Sequence, residues 1–337
     1  MTPLPASIAK SWQLAALSRQ LGRKPLARTI ADTPVVLFRT ASGRPAALLD
    51  RCPHRNFPLS EGRIEGDSLR CPYHGWRFGP DGACLEVPGC ELAAGDGGRY
   101  AARPVPVIER HGAVFVRLAD GPGDLPDLGD WGAPGHDHFW WAQGQWRGRA
   151  LDAIENVLDP FHTNFIHDGF IRRSGSRMPV KLYTRVFSDG IEQVIEQPTR
   201  DMGWMSRVLE PPRDRSRTRL YAPTTIQARW EGPHGLTLCV TAFFTPSTAT
   251  ALRPFACFTT PKGRGPGWLK QGAIRLFLDP VVAQDRRALA RQLDGIESLG
   301  GPRFMQGPGD LLGGRIAQLY AGETLQPGEE GPFERTL

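Results

Sequence analysis

Cys52-Pro53-His54-Arg55 and Cys71-Pro72-Tyr73-His74-Gly75-Trp76 put one cysteine and one histidine on each of two short stretches, with 16 residues between His54 and Cys71. Apolar runs at 35–39, 46–50, 76–78, 83–86 and 113–118 surround them, broken by Ser42-Gly43, Gly79-Pro80-Asp81-Gly82 and His111-Gly112. Runs of that length between turn residues predict a small, hairpin-rich antiparallel unit with the Cys/His stretches as hairpin tips. Four ligands then converge from two loops. A structural zinc site usually takes its ligands as C-x-x-C and H-x₃₋₅-H pairs. One Cys and one His from each loop suits instead an asymmetric [2Fe–2S] cluster, with two thiolates on one iron and two imidazoles on the other. Imidazoles are neutral where thiolates are anionic, so such a cluster has a higher reduction potential than an all-cysteine one.

Cys84, Cys90, Cys239 and Cys257 have no paired histidine and read as small buried apolar residues. His111, in a turn, reads as solvated. Residues 120–135 (DGPGDLPDLGDWGAPG) are dense in Gly, Pro and Asp and read as a linker or surface crossover. Beyond them, apolar runs at 180–187, 191–196, 224–230, 236–244 and 251–259 alternate with turn residues. Two helical stretches flank that series, which predicts a second, α+β unit around an antiparallel sheet. At the other end, Leu14, Leu17 and Leu21 fall at helical spacing before Gly22, predicting a short amphipathic helix over 12–22.

The segment 155–167 (ENVLDPFHTNFIH) holds His162 and His167. Asp159-Pro160 is a good N-cap/N1 pair, so a helical turn is expected to start there and to set the Asp159 carboxylate beside His162. A separation of five residues turns about 140° in a regular helix, so the two imidazoles meet on one ion only if the helix ends or bulges before His167. Two imidazoles and one carboxylate leave coordination positions open for O₂ and substrate. For the carboxylate, Asp279-Pro280 predicts a second helix start, and the residues after it put Asp285, Ala288, Leu289 and Gln292 on one stripe. Asn156 is either a hydrogen-bonding neighbour of the metal or a packing amide.

Composition narrows the classes. The 337 residues are 40% hydrophobic and 23% charged, as in a globular chain, and no run holds the ~18 uncharged apolar residues of a membrane helix. The first 22 residues are broken by Lys10, Ser11, Gln13 and Arg19 and lack the apolar stretch of a secretion signal, so a cytoplasmic location is expected. The net charge of +6 comes from scattered basic residues rather than an aromatic-interleaved patch, which argues against nucleic acid as a partner. No G-x-G-x-x-G or P-loop pattern is present.

With both constellations in view, Cys-Pro-Tyr-His-Gly-Trp, the Asn156/Asp159/His162/His167 pattern and the Gln284-Asp285 pair resemble the Rieske non-haem iron, aromatic-ring-hydroxylating oxygenases. Neither loop has the extra cysteine of the respiratory Rieske proteins, and the NVLDPFH run resembles the vanillate and dicamba O-demethylase branch. The resemblance implies an antiparallel β Rieske domain over 1–120 and, over 136–337, a catalytic domain with a helix-grip-like sheet flanked by helices. It implies Cys52, His54, Cys71 and His74 as cluster ligands and His162, His167 and Asp285 as ligands of a mononuclear Fe(II), although Gln284 stands where the family often has an acidic residue. Asp159 and Asn156 become catalytic candidates, Asp159 linking His162 to His74 of another copy in a homo-oligomeric ring, a homotrimer. The implied activity is that of a terminal monooxygenase, a hydroxylase or demethylase, taking O₂, an aromatic or other apolar small molecule, and electrons from an external ferredoxin or flavin reductase. Trp204, Trp230, Phe243, Phe244, Phe255 and Phe258 either line its pocket or are plain core. Two competing readings are a Rieske electron carrier without a catalytic iron and a zinc-structured binding module; iron count separates the first and visible colour the second.

Overall fold

The computed structural model describes all residues except 1–2, 94, 122, 130, 169–178, 197–214, 234, 264–265 and 337. The chain divides into two compact units, Ile8–Leu125 and Pro126–Leu337 together with Met1–Ser7.

The first unit follows a short helix α1 (Ala6–Lys10) with ten strands: β1 (Gln13–Leu17), β2 (Leu26–Ile30), β3 (Thr33–Arg39), β4 (Pro45–Leu49), β5 (Arg63–Glu65), β6 (Ser68–Arg70), β7 (Arg77–Phe78), β8 (Cys84–Glu86), β9 (Val107–Arg110) and β10 (Ala113–Val116), with α2 (Asp96–Arg99) after β8. They form three antiparallel sheets in the orders β1-β10-β9, β2-β3-β4 and β5-β6-β7-β8. The expected hairpins are found, but the helix expected over 12–22 is not. Gln13–Leu17 is a strand buried on both faces and paired with β10, followed by one 3₁₀ turn, and the helix lies earlier, at Ala6–Lys10. Five consecutive buried residues leave no polar face for a helix to turn to solvent, and a short apolar run is ambiguous in period until its partner strand is known. Cys52 and Cys71 sit within a core that also holds Phe38, Leu48, Leu59, Leu69 and Phe78, so the two loops grow directly from packed side chains.

In the second unit, nine strands make one antiparallel sheet: β11 (His136–Ala142), β12 (Trp146–Arg147), β13 (Pro179–Phe187), β14 (Gly190–Glu196), β15 (Arg215–Tyr221), β16 (Thr225–Gly232), β17 (Gly235–Thr248), β18 (Ala251–Pro261) and β19 (Gly328–Thr336). The order is β11-β18-β17-β16-β15-β14-β13-β19, with β12 also on β18. Among the described residues three helices accompany it: α3 (Ala150–Leu158), α4 (Gly267–Ser298) and α5 (Gly313–Ala321). Ile274, Leu278 and Val282, spaced by four along α4, pack on Trp141, Leu238, Val240 and Phe258 of the sheet. The α+β architecture is as expected, but α4 does not start at Asp279-Pro280. It starts at Gly267 and carries Pro280 inside it. A mid-helix proline forgoes one backbone hydrogen bond; here packing on both sides of Pro280 holds the helix continuous. Leu128 and Trp131, in the Gly/Pro-dense stretch before β11, are buried. Among the described residues no helix is long and apolar enough to cross a membrane.

Candidate metal centres

Cys52 and Cys71 open the same backbone turn. Each cysteine N–H donates to the carbonyl five residues on, Phe57 or Trp76, at 2.8 Å in both loops, and each cysteine carbonyl accepts from the amide four residues on, Asn56 at 2.9 Å and Gly75 at 3.1 Å. Closing that turn takes a left-handed residue at the fourth position, and Asn56 (φ 57°) and Gly75 (φ 75°) supply it, the two residue types that tolerate this region best. Arg70 braces the second loop, donating to the Gly75 carbonyl at 2.7 Å while paired with Glu65 and Glu86. A Cβ on Gly75 would stand 2.9 Å from Pro88 Cγ. Gly75→Ala is therefore expected to destabilise the protein by about 1–2 kcal/mol, read as a lower urea midpoint, whereas Asn56→Gly should leave the midpoint nearly unchanged; equal midpoints for wild type and Gly75→Ala would contradict the strained turn.

The paired turns bring the His54 and His74 rings to 4.4 Å at 68°, with Trp76 stacked on His54 at 4.7 Å. Both cysteines are 2% exposed. Burial, reinforced by the adjacent Cys71 thiol, pushes the Cys52 thiol up to about 11. The buried Cys52 thiol does not ionise unaided; a bound metal would draw it into a thiolate. The His54 Nδ1 is buried with no hydrogen-bond partner among the described residues. An orphaned imidazole nitrogen beside two buried thiols is a donor set that fits iron.

The second constellation forms around a helix end. α3 stops at Asp159, whose N–H donates to the Glu155 carbonyl at 2.8 Å, and the Asp159 carboxylate then accepts from the amides of Phe161 (2.7 Å) and His162 (3.2 Å). The turn expected at Asp159-Pro160 is present, but as a 3₁₀ turn (His162–Asn164) following a helix that is already complete. That break in the helix cancels the 140° divergence: the His162 and His167 rings lie 5.3 Å apart at 77°.

Asp285 reaches both. Its Oδ1 is 3.2 Å from His167 Nε2 and 3.7 Å from His162 Nε2, and although that close it is buried without an aligned hydrogen bond. Both rings are held from behind. His162 Nδ1 donates to the Asp159 backbone carbonyl at 2.6 Å and His167 Nδ1 to Gln284 Oε1 at 2.9 Å. The Asp159 carboxylate stands beside His162 as expected, but its oxygen is 3.8 Å from Nδ1, so it is the peptide carbonyl that orients the ring. With each Nδ1–H committed to an oxygen, each Nε2 keeps a lone pair facing Asp285. Burial lowers the His162 pKa, outweighing the charges of Asp285 and Asp159. At His167, burial is outweighed by Asp285 and Gln284, and the pKa is raised. Gln284 had no role in the sequence beyond its place in the pattern; a partner 117 positions away is visible only in the fold. Gln284→Leu, which removes the acceptor, is expected to weaken Fe(II) binding about 10–100-fold, measured by calorimetric titration of metal-free protein, with Gln284→Glu recovering affinity; unchanged affinity in the leucine variant would contradict this role.

His162 and Asp285 of the triad line a cavity of about 390 Å³ between the helices and the sheet. Trp141, Trp230, Phe244, Phe255 and Phe258 give it apolar walls, and Asn156 and His162 line it as well. Phe243 packs instead against Trp140 and Trp131, and Trp204 lies outside the described residues. Cys84, Cys239 and Cys257 are buried as expected, whereas Cys90 is exposed, in a tight turn bonded back to the Val87 carbonyl where no core reaches it.

Residues 11–95 match the Rieske [2Fe–2S] domain and residues 146–312 the vanillate O-demethylase oxygenase C-terminal domain, together about three quarters of the chain. The oxygenase component of dicamba O-demethylase from Stenotrophomonas maltophilia is 38% identical over 168 residues, 48% of either chain. The vanillate O-demethylase oxygenase subunit of Pseudomonas sp. (strain HR199 / DSM 7063) is 33% identical over 190 residues, 54% of this chain and 51% of that one. The chain thus matches about half the length of these curated relatives. In fold, dicamba monooxygenase bound to dicamba superposes with a TM-score of 0.79 at 24% identity, covering 93% of this chain and 97% of that one. A Rieske [2Fe–2S] unit followed by this C-terminal unit, both matched and in this order, makes the chain a member of the Rieske non-haem iron oxygenase family, in its vanillate/dicamba O-demethylase-like branch.

Proposed function

We propose that the chain is the terminal oxygenase of a multicomponent system, taking O₂ and electrons from an external ferredoxin or flavin reductase to hydroxylate or oxidatively demethylate an aromatic or other apolar small molecule. The observation that carries this reading is the His162–His167–Asp285 triad, two of whose members, His162 and Asp285, line an apolar cavity of about 390 Å³. In this reading 1–120 is the cluster domain and 136–337 the catalytic domain. Cys52, His54, Cys71 and His74 would hold the cluster, and His162, His167 and Asp285 the mononuclear iron. When bound, these groups supply single electrons and oxygen activation.

The protein's own share is positional. The Asp159 carbonyl and Gln284 fix the two imidazoles, the aromatic walls exclude water and hold an apolar substrate beside the triad, and Asn156 offers an amide at the same wall. His74 is exposed and Asp159 partly so, which leaves both accessible to a neighbouring copy in a homotrimer. A reduced cytoplasm keeps the four ligand thiols and imidazoles available for iron. The test is a screen of uncharged and anionic methoxy- and methyl-aromatics for oxygen uptake with the reductase, coupled to formaldehyde detection. Substrate-dependent uptake is expected; uptake that no compound stimulates in fully iron-loaded protein would contradict the reading.

A further inference from the structure

A second cavity, about 450 Å³, lies beside the first, and Leu158, Asp159, Pro160 and Gln193 line both. Its other walls include Arg149, Glu155, Gln292, Gln306 and Asp310, and Phe304 (56% exposed) and Met305 (94%) stand at its rim. Polar groups on several sides and this volume are what a water-filled cavity needs. Glu155 sits on α3, one turn before Asp159. The charged groups around it are Arg149 at the N-cap of that helix, Asp152 on it and Asp310 from the loop before α5. α5 itself presents a glycine there: the Cβ position of Gly313 lies 3.8 Å from Glu155 Oε1 and 2.9 Å from Gln306 Nε2, so both polar groups border this wall. Burial, with Asp152 and Asp310 adding to it and Arg149 opposing, pushes the Glu155 carboxyl up to about 7. It therefore exchanges protons near neutrality.

Converting R–H and O₂ to R–OH and water consumes two electrons and two protons. The external reductase supplies the electrons; the protons come from solvent, and the first cavity is walled by aromatic rings. We propose that the second cavity is the proton supply of the first, with Glu155 as its relay, donating through water held against Gln193 and taking a proton back from solvent past the Phe304–Met305 rim. This rests on the oxygenase reading above.

Infrared titration of the holoenzyme is expected to show one carboxyl protonating near pH 7 that Glu155→Gln removes; a band unchanged in that variant overturns the assignment. For the relay, dithionite-reduced holoenzyme is mixed with oxygenated buffer containing anisole as an apolar probe, and cluster reoxidation is followed by visible absorption. The wild-type rate should fall as pH rises through 7, and Glu155→Gln should be about tenfold slower and flat across that range. Glu155→Ala should be equally slow and be rescued by formic acid, a small acid that fits the vacated space; a purely structural role would give no rescue. A wild-type rate and profile in Glu155→Gln, or no rescue of a natively folded alanine variant, overturns the relay alone. Wild-type holoenzyme that is not reoxidised at all overturns the oxygenase reading and the relay with it.

Discussion

Purified His167→Ala protein is expected to carry two irons per chain in place of three, to keep the visible spectrum of its cluster, and to lose turnover by about 10³-fold or more. His167 is 1% exposed, with one ring nitrogen committed to Gln284 and the other facing Asp285. Removing the ring takes away one of three ligands. It also leaves Gln284 Oε1 and Asp285 Oδ1 facing each other across a void with no donor between them, which costs more than the missing contact alone. His162→Ala should behave alike. The cluster loops, 52–57 and 71–76, belong to the other compact unit, so their spectrum should not change. Loss of the cluster signal with the mononuclear iron retained would mean that the two sites are assigned the wrong way round.

Asp159→Asn is expected to keep both metals while slowing electron passage from cluster to iron about 10²-fold, a size common for a misplaced link in an otherwise intact site. The change conserves shape. One amide oxygen can still accept from Phe161, the bond to the His162 amide is lost, and the backbone carbonyl that orients His162 is untouched. What disappears is a negative charge 3.8 Å from the His162 ring, on a carboxylate that is 39% exposed. Rapid mixing of the reduced protein with O₂, followed at the cluster's absorption, measures this directly. Wild-type reoxidation in the asparagine variant, with iron content unchanged, would remove the bridging role.

The residues of both candidate centres stand out in the sequence because the chemistry proposed for them constrains spacing: a Cys and a His share each hairpin tip, and an imidazole pair five apart needs a broken helix. How they are held does not. The carbonyl behind His162 is the backbone oxygen of Asp159, whose side chain carries the sequence pattern, and the oxygen behind His167 lies 117 positions away. Strand β15 has no apolar run to mark it in the sequence, because Arg215, Arg217 and Arg219 occupy every second position. In the fold their stems lie along the sheet, Arg219 over the rings of Phe187 and Tyr221 at 3.9 and 4.4 Å. The misread helix over 12–22 and the misplaced start of α4 share a cause: in both, tertiary packing decided what local pattern left open.

Iron and acid-labile sulfide, counted per chain in protein reconstituted anaerobically, test the two-site account most directly. Three irons to two sulfides are expected, with one iron lost selectively in His167→Ala. Two irons in the wild type, unchanged by that substitution, would make the chain an electron carrier; a colourless protein that binds zinc would contradict both sites at once.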